Sequence, residues 1–343
     1  STNFIESFTY KFLHGPDYSL VKYSVTHFLN FIDGLHDIQE LMQASTSTVL
    51  QTIIQRIDML LKKSELQKII SRKNDKPFSD RELLHTGHFL KRHFKAETFE
   101  LIDLYSRLDA YYSMGIACIK FKFSFPSFTE SGMPDLQIKE LFHPLLSTPV
   151  AYNCNLEQEK NFLFLTGANM AGKSTFIKAV GVAVYLAHIG MGVPASFMQL
   201  SFFDGLLSNI QVADNIVKGE SYFFNEVQRI KKTLEKISDG KKWIILIDEL
   251  FKGTNVQDAM KCSSVVIEGL LKMKNCLFIL STHLYEIGDG LRVYPNIQFR
   301  YFETQVQDGQ LYFSYFLKEG ISNDRLGYLI LKREGVVAML EQL

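Results

Sequence analysis

The spacing of apolar residues changes about a third of the way along the chain. From Leu35, apolar positions recur at 35, 38, 41/42, 49/50, 53/54, 57 and 60/61. That period predicts one face of a single long helix. "KKSELQKIISRKNDK" (62–76) is locally basic and reads as a solvated helix end and loop. Ser79 with Glu82 has the spacing of a capping box and predicts the start of the next helix. "AETFELIDLYSRLDAYYSMGIAC" (96–118) continues the helical pattern. Residues 1–122 are therefore expected to form an all-α domain resembling a helical core or lever.

"FSFPSFTESGMPD" (123–135), with its Pro, Gly and Ser, reads as a joint between domains. Beyond it, short apolar runs alternate with helical ones, as in a parallel α/β sheet. "NFLFLT" (161–166), "WIILI" (243–247) and "CLFILST" (276–282) read as buried strands. After the first, Phe176, Ile177, Val180, Val184 and Ile189 stand at helical spacing. Another helix is expected over 221–238. Residues 297–317 read as a hairpin turning at Asp308-Gly309, and two short helices close the chain. The fold class expected is α/β with a parallel-rich sheet over 123–343, behind the helical domain.

Composition narrows this picture only a little. A 343-residue chain with 46% hydrophobic and 13% aromatic residues can bury a substantial core in two domains. The 37 basic and 37 acidic residues cancel, so net charge gives no argument for nucleic acid. Cys118, Cys154, Cys262 and Cys276 are scattered without paired spacing, which suggests a reduced compartment and no zinc site. No apolar stretch reaches 18 residues and no signal peptide is visible, so a cytoplasmic location without a membrane span is expected. The chain starts at Ser1 rather than methionine, which leaves open whether it is a piece of a longer one.

The chemistry is concentrated in three stretches. "TGANMAGKST" (166–175) has the phosphate-loop spacing G-x-x-x-x-G-K-S/T, between a predicted strand and a predicted helix. Backbone N–H groups of such a loop cradle anionic oxygens. Lys173 can reach the β- and γ-phosphates, and the Ser174 hydroxyl can ligand Mg²⁺. "WIILIDEL" (243–250) ends a buried strand in Asp248-Glu249. An acid at the carboxyl end of a parallel strand faces the nucleotide crevice. Asp248 is the candidate for the Mg²⁺, and Glu249 for orienting or deprotonating the attacking water. Taken without the loop, the pair could equally be two solvated acids at a strand end. His283 follows the third strand and would stand beside Asp248 if the two strands are neighbours. It could sense the γ-phosphate, or merely hydrogen-bond its surroundings.

These residues resemble a family, the ATPase domain of MutS-type DNA mismatch-repair proteins. The family's loop reads T-G-P-N-M-G-G-K-S-T against Thr166 to Thr175 here, and the Asn-Met pair sets it apart from most phosphate loops. In order, "FHPLL" (142–146), "HIGMGVPA" (188–195), "VADNIVKGESYFFNEVQRI" (212–230), "DELFKGTNVQDA" (248–259) and "STHLYEI" (281–287) resemble further family segments. "GISNDRLGYLILKREGV" (320–336) resembles its helical dimerisation end. The likeness runs from about Leu101 to the C-terminus. Ala168 and Ala171 replace the loop's Pro and middle Gly, Phe251-Lys252 replace Gly-Arg, and Tyr222 replaces a Thr.

The resemblance implies an ABC-type phosphate-loop ATPase, using ATP and Mg²⁺, that acts on DNA as a homodimer through the ATPase domain. Gly167, Ala168, Asn169, Met170, Ala171, Gly172, Lys173, Ser174 and Thr175 would bind the nucleotide, and Ser174 and Asp248 the metal. Glu249 would be the base, with His283 near the γ-phosphate. Ser221 would reach the neighbouring subunit's nucleotide in trans. The adenine would lie near Pro149 to Tyr152, where Val150 replaces the family's aromatic. The family's mismatch-reading domain, with its Phe-x-Glu wedge, has no counterpart here. Phe128-Thr129-Glu130 matches the wedge by letter but falls in the joint. Two functions stay open: a MutS-type mismatch-repair or recombination ATPase, and a nucleotide-gated dimeric interaction module with little turnover and no mismatch selectivity. Transport is disfavoured, because no L-S-G-G-Q stretch precedes Asp248.

Overall fold

The computed structural model describes residues 9, 11–75, 77–210, 222–307, 310–322, 332 and 335–341. The chain divides into two compact units, 1–115 and 116–343. The first is helical: α1 (Gly15–Met42), α2 (Thr48–Leu61), α3 (Ser64–Asp75), α4 (Asp80–Arg92) and most of α5 (Lys95–Phe121). Val25, Phe28, Leu29, Ile32 and Leu35 of α1 recur at i, i+3, i+4 and i+7 and are buried. They pack with Ile53, Ile57, Leu60 and Leu61 of α2, and with Phe89 and Phe94.

Two expectations for this unit need correction. The single helix expected from Leu35 to Leu61 is broken between Met42 and Thr48. Ser47 is extended, with φ −74° and ψ 118°, and its side chain accepts the Leu50 N–H as an N-cap. The Ser-rich run Ser45-Thr46-Ser47 thus stops one helix and starts another on the same apolar phase. The stretch 62–76, expected as a helix end and loop, contains the three-turn helix α3. Its Arg72 forms a two-pronged pair with Glu82, at 2.6 and 2.8 Å. The capping box is present as expected: Ser79 accepts from the Glu82 N–H, and Glu82 accepts from the Ser79 N–H at 2.8 Å.

The second unit holds two sheets. Six strands lie in the order β10-β9-β4-β8-β7-β6. They are β4 (Phe162–Thr166), β6 (Gly205–Asn209), β7 (Trp243–Asp248), β8 (Cys276–Ser281), β9 (Ile297–Gln307) and β10 (Gln310–Glu319). All pairings are parallel except the antiparallel edge β9–β10. Central strands of such a sheet are buried on both faces and read as unbroken apolar runs. Alternate residues point to opposite sides. Leu163, Leu165, Ile244 and Leu246 pack with α6 (Lys173–His188), through Phe176, Val180 and Ala183. Phe162, Phe164, Ile245 and Ile247 pack on the other side with α7 (Tyr222–Ile237) and α8 (Val256–Leu270).

A four-stranded sheet, order β1-β5-β2-β3, joins the α6 side. Its strands are β1 (Ser127–Thr129), β2 (Asp135–Leu141), β3 (Tyr152–Glu157) and β5 (Phe197–Ser201). The expected joint at 123–135 is therefore partly an edge strand, because β1 pairs in parallel with β5. Phe128 sits on that edge, and its ring meets His188 edge-on at 5.5 Å. The turn at Asp308-Gly309 lies outside the described residues. So does most of the closing helical segment, apart from a short helix, Val336–Glu341.

Candidate nucleotide site

Three chemical groups converge at the carboxyl ends of neighbouring parallel strands, the place where open α/β sheets bind ligands. β8 lies between β4 and β7. Ser281 pairs with Leu165 on one side and with Asp248 on the other. Adjacent register thus brings together residues more than a hundred positions apart, with the loop after β4, the acids after β7 and His283 after β8.

The loop turns sharply. Gly167 has φ +136°, Met170 φ +69° and Gly172 φ +111°. A Cβ at Gly167 would lie 3.1 Å from the Phe302 carbonyl, so both the conformation and the space call for glycine. Gly172 is the N-cap of α6, whose first residue is Lys173. The Lys173 ammonium donates to the carbonyls of Gly167 and Ala168, at 2.7 and 2.9 Å. Lys173 is buried, and burial pulls its pKa below the ordinary lysine value against the opposing fields of Glu249 and Asp248.

Asn169, Met170, Gly172, Lys173, Ser174 and Thr175 line a cavity of about 470 Å³, together with Val150, Tyr152, Tyr315 and Glu249. A neighbouring cavity of about 550 Å³ is lined by Gly167, Ala168 and Asn169 with Glu249, Lys252 and His283. Glu249 faces both. Ala171, within the loop, is buried. Ser221 lies outside the described residues.

Asp248 accepts a short hydrogen bond from the Ser281 hydroxyl. Glu249 has a left-handed φ of +66°, and its N–H donates to the Ser281 carbonyl at 3.0 Å. Its Oε2 lies 3.6 Å from His283 Nδ1 and 2.9 Å from Lys252 Nζ. His283 thus stands beside Glu249; Asp248 has Ser281 as its partner. His283 first, and Lys252 with it, hold the Glu249 carboxyl down to about 2, against the opposing effect of burial. Burial works against the Lys252 charge, but the Glu249 carboxylate wins and raises its pKa.

Sequence reasoning missed three residues here. Lys252 stands out in the sequence only as a departure from the family pattern. Glu226 lies within the 212–230 stretch that resembles a family segment and stands at that segment's glutamate, but the resemblance gives it no role. Tyr315 sits at φ +57°, where the β9–β10 register shifts between Phe313 and Leu317, and its ring faces Gly172. A bulge of that kind has no mark in the local sequence.

A phosphate loop, an acid at the neighbouring strand end and a parallel sheet covered on both faces define a phosphate-loop nucleotide-binding unit. Residues 163–339 match the family model described as MutS domain V, and the chain belongs to the MutS family. It is 32% identical to MutS protein homolog 4 of Homo sapiens over 237 residues, which is 66% of this chain and 25% of that protein. It is 31% identical to MutS protein homolog 4 of Mus musculus over 264 residues, 71% of this chain and 27% of that one. It is 28% identical to the DNA mismatch repair protein MutS of Pseudothermotoga lettingae over 232 residues, 66% of this chain and 28% of that one. The chain thus spans about a quarter of the length of these relatives. No described helix is long and apolar enough to cross a membrane.

Proposed function

We propose that the chain binds ATP with Mg²⁺ and hydrolyses it as part of a MutS-type DNA repair or recombination factor acting as a dimer, with an ABC-type ATPase unit. The observation that carries this reading is Glu249, which faces the phosphate-loop cavity while its carboxylate sits beside His283 and Lys252. Lys173 and the loop N–H groups hold the phosphates. Glu249 orients the attacking water and takes its proton. His283 stands where it can contact that water or the γ-phosphate.

The donor set fits a magnesium–triphosphate pair. Among the described residues, no group of three or more His, Cys, Asp or Glu converges on one metal position. Mg²⁺ in nucleotide sites commonly takes only one or two protein oxygens, the rest coming from phosphate and water. Ser174 lines the loop cavity, and Asp248 lies at the end of the strand next to β8. These two would hold the ion. When bound, it would neutralise charge on the phosphate oxygens.

Glu249→Gln tests the base role. It should still bind ATP and should lose turnover by about 10²–10⁴-fold, because binding and water activation reside in different groups. Turnover equal to wild type would remove Glu249 from that role. The second reading, a nucleotide-gated dimeric module with little turnover, has one observation in its favour. A carboxyl held at about 2 by its cationic neighbours is a weak base. If ATP drives dimer formation in wild type and Glu249→Gln alike, with no measurable hydrolysis in either, that reading stands. The DNA structure bound and the homodimer are parts of the same proposal, supported by the mismatch-repair relatives.

A further inference from the structure

One buried acid in the ATPase unit has no part in the scheme above. Glu226 lies in the second turn of α7 and is only 5% exposed. A buried carboxylate is costly unless its oxygens are satisfied. Both are. Oε1 accepts from the Lys252 N–H and Oε2 from the Gly253 N–H, each at 3.2 Å. One carboxylate therefore clasps two consecutive backbone donors, and they belong to the turn that follows Glu249.

That turn needs holding. Glu249 and Phe251 both have left-handed φ, at +66° and +57°. Such conformations cost non-glycine residues on the order of 1–3 kcal/mol each and persist only where the surroundings impose them. Three contacts do so. The Glu249 N–H is tied to the Ser281 carbonyl. The Phe251 ring lies 5.6 Å from Phe223 on α7. Gly253 is pressed so close to α7 that a Cβ there would sit 2.7 Å from the Phe223 nitrogen. The Glu226 clasp is the polar part of this seam. The backbone it grips carries the Lys252 side chain back onto Glu249 Oε2.

Resting on the reading of Glu249 as the hydrolytic base, we propose that Glu226 is a positioning residue for hydrolysis: by gripping the 252–253 backbone it keeps the Lys252 ammonium on Glu249, which fixes where the carboxylate points at some cost in its basicity, and so couples α7 to the base. It touches no substrate. Its effect passes through Lys252, and α7 begins directly after the segment that carries Ser221.

The test is a double-mutant cycle on the 343-residue chain: Glu226→Ala, Lys252→Met and the pair, with Glu226→Gln as the conservative variant. Glu226→Ala should lower kcat about 10- to 100-fold, since small misplacements of catalytic groups cost that much, and leave KM for ATP within about twofold. Glu226→Gln, which keeps one acceptor oxygen, should recover part of the loss. The pair should be no slower than Lys252→Met alone, because the clasp works through Lys252. Hydrogen exchange gives a readout independent of turnover: the Lys252 and Gly253 amides should lose protection in Glu226→Ala, with the sheet amides unchanged. Effects that multiply in the pair, a KM that rises in step with the loss of kcat, or unchanged amide protection would overturn the proposal. Full turnover by Glu249→Gln is a different result. It would overturn the base assignment, and this role with it.

Discussion

Lys252 Nζ lies 2.9 Å from Glu249 Oε2, three residues apart in a turn that doubles back on itself. The pair sits at the carboxyl end of the sheet, where Glu249 also faces the phosphate loop. The acid proposed to activate water is thus already ion-paired, and its carboxyl is held at about 2, first by His283 and then by Lys252.

Lys252→Met should therefore change the pH dependence of stability. Glu249 has a folded-state pKa depressed from 4.5 to about 2. Its contribution is fully present above the unfolded value and is lost as pH falls through the folded one. Without Lys252 that depression shrinks. Urea unfolding should show the variant less stable than wild type at pH 7, with the gap closing between about pH 4.5 and 2. A gap of constant size across that range would show that Lys252 contributes nothing through Glu249.

Gly253→Ala tests the seam between the turn and α7. The added methyl would meet the Phe223 nitrogen at 2.7 Å and the Tyr222 ring at 2.7 Å. One contact is backbone, so something must shift, and overpacking of this kind costs about 1–3 kcal/mol. Thermal unfolding should register the loss, and turnover should fall further than stability alone explains because the turn carries Lys252. Wild-type Tm and kcat in Gly253→Ala would show that the seam is loose.

Ser221 follows a Lys218-Gly219-Glu220 stretch and directly precedes α7. If it serves the partner's nucleotide, Ser221→Ala should leave ATP binding by the monomer nearly unchanged while weakening ATP-dependent dimerisation and turnover. Mixing Ser221→Ala with Lys173→Ala protein should partly restore activity, because one composite site in the mixed dimer then carries neither defect. No recovery, once mixed dimers are demonstrated, would place Ser221 outside the trans site. A simple helix cap would instead give a stability loss of about 1 kcal/mol and no complementation.

Much of this site was legible along the chain because its parts are local. The loop's spacing from Gly167 to Ser174, the apolar run ending in Asp248-Glu249 and the run ending before His283 each state their chemistry within a few residues. The Ser79–Glu82 box was legible for the same reason: both of its hydrogen bonds span three residues. The break between α1 and α2 was harder to read. Apolar positions on both sides share one phase, and only the Ser45-Thr46-Ser47 run marks the interruption. β1 was hidden by its own composition, since a three-residue edge strand has too few positions to show a period.

Local order along the sequence thus determined the loop, the three central strands β4, β7 and β8, the acids and the helix that follows the loop. Hydrogen-bonding geometry and side-chain period are properties of neighbours in the chain. Tertiary structure alone decided which strands lie side by side, and so that His283 would stand against Glu249 and Ser281 against Asp248. It alone decided that an acid of α7 would clasp the turn after β7, 26 and 27 residues away. Those choices follow from burying both faces of one sheet at once, a condition on the whole unit that no short stretch of sequence can express.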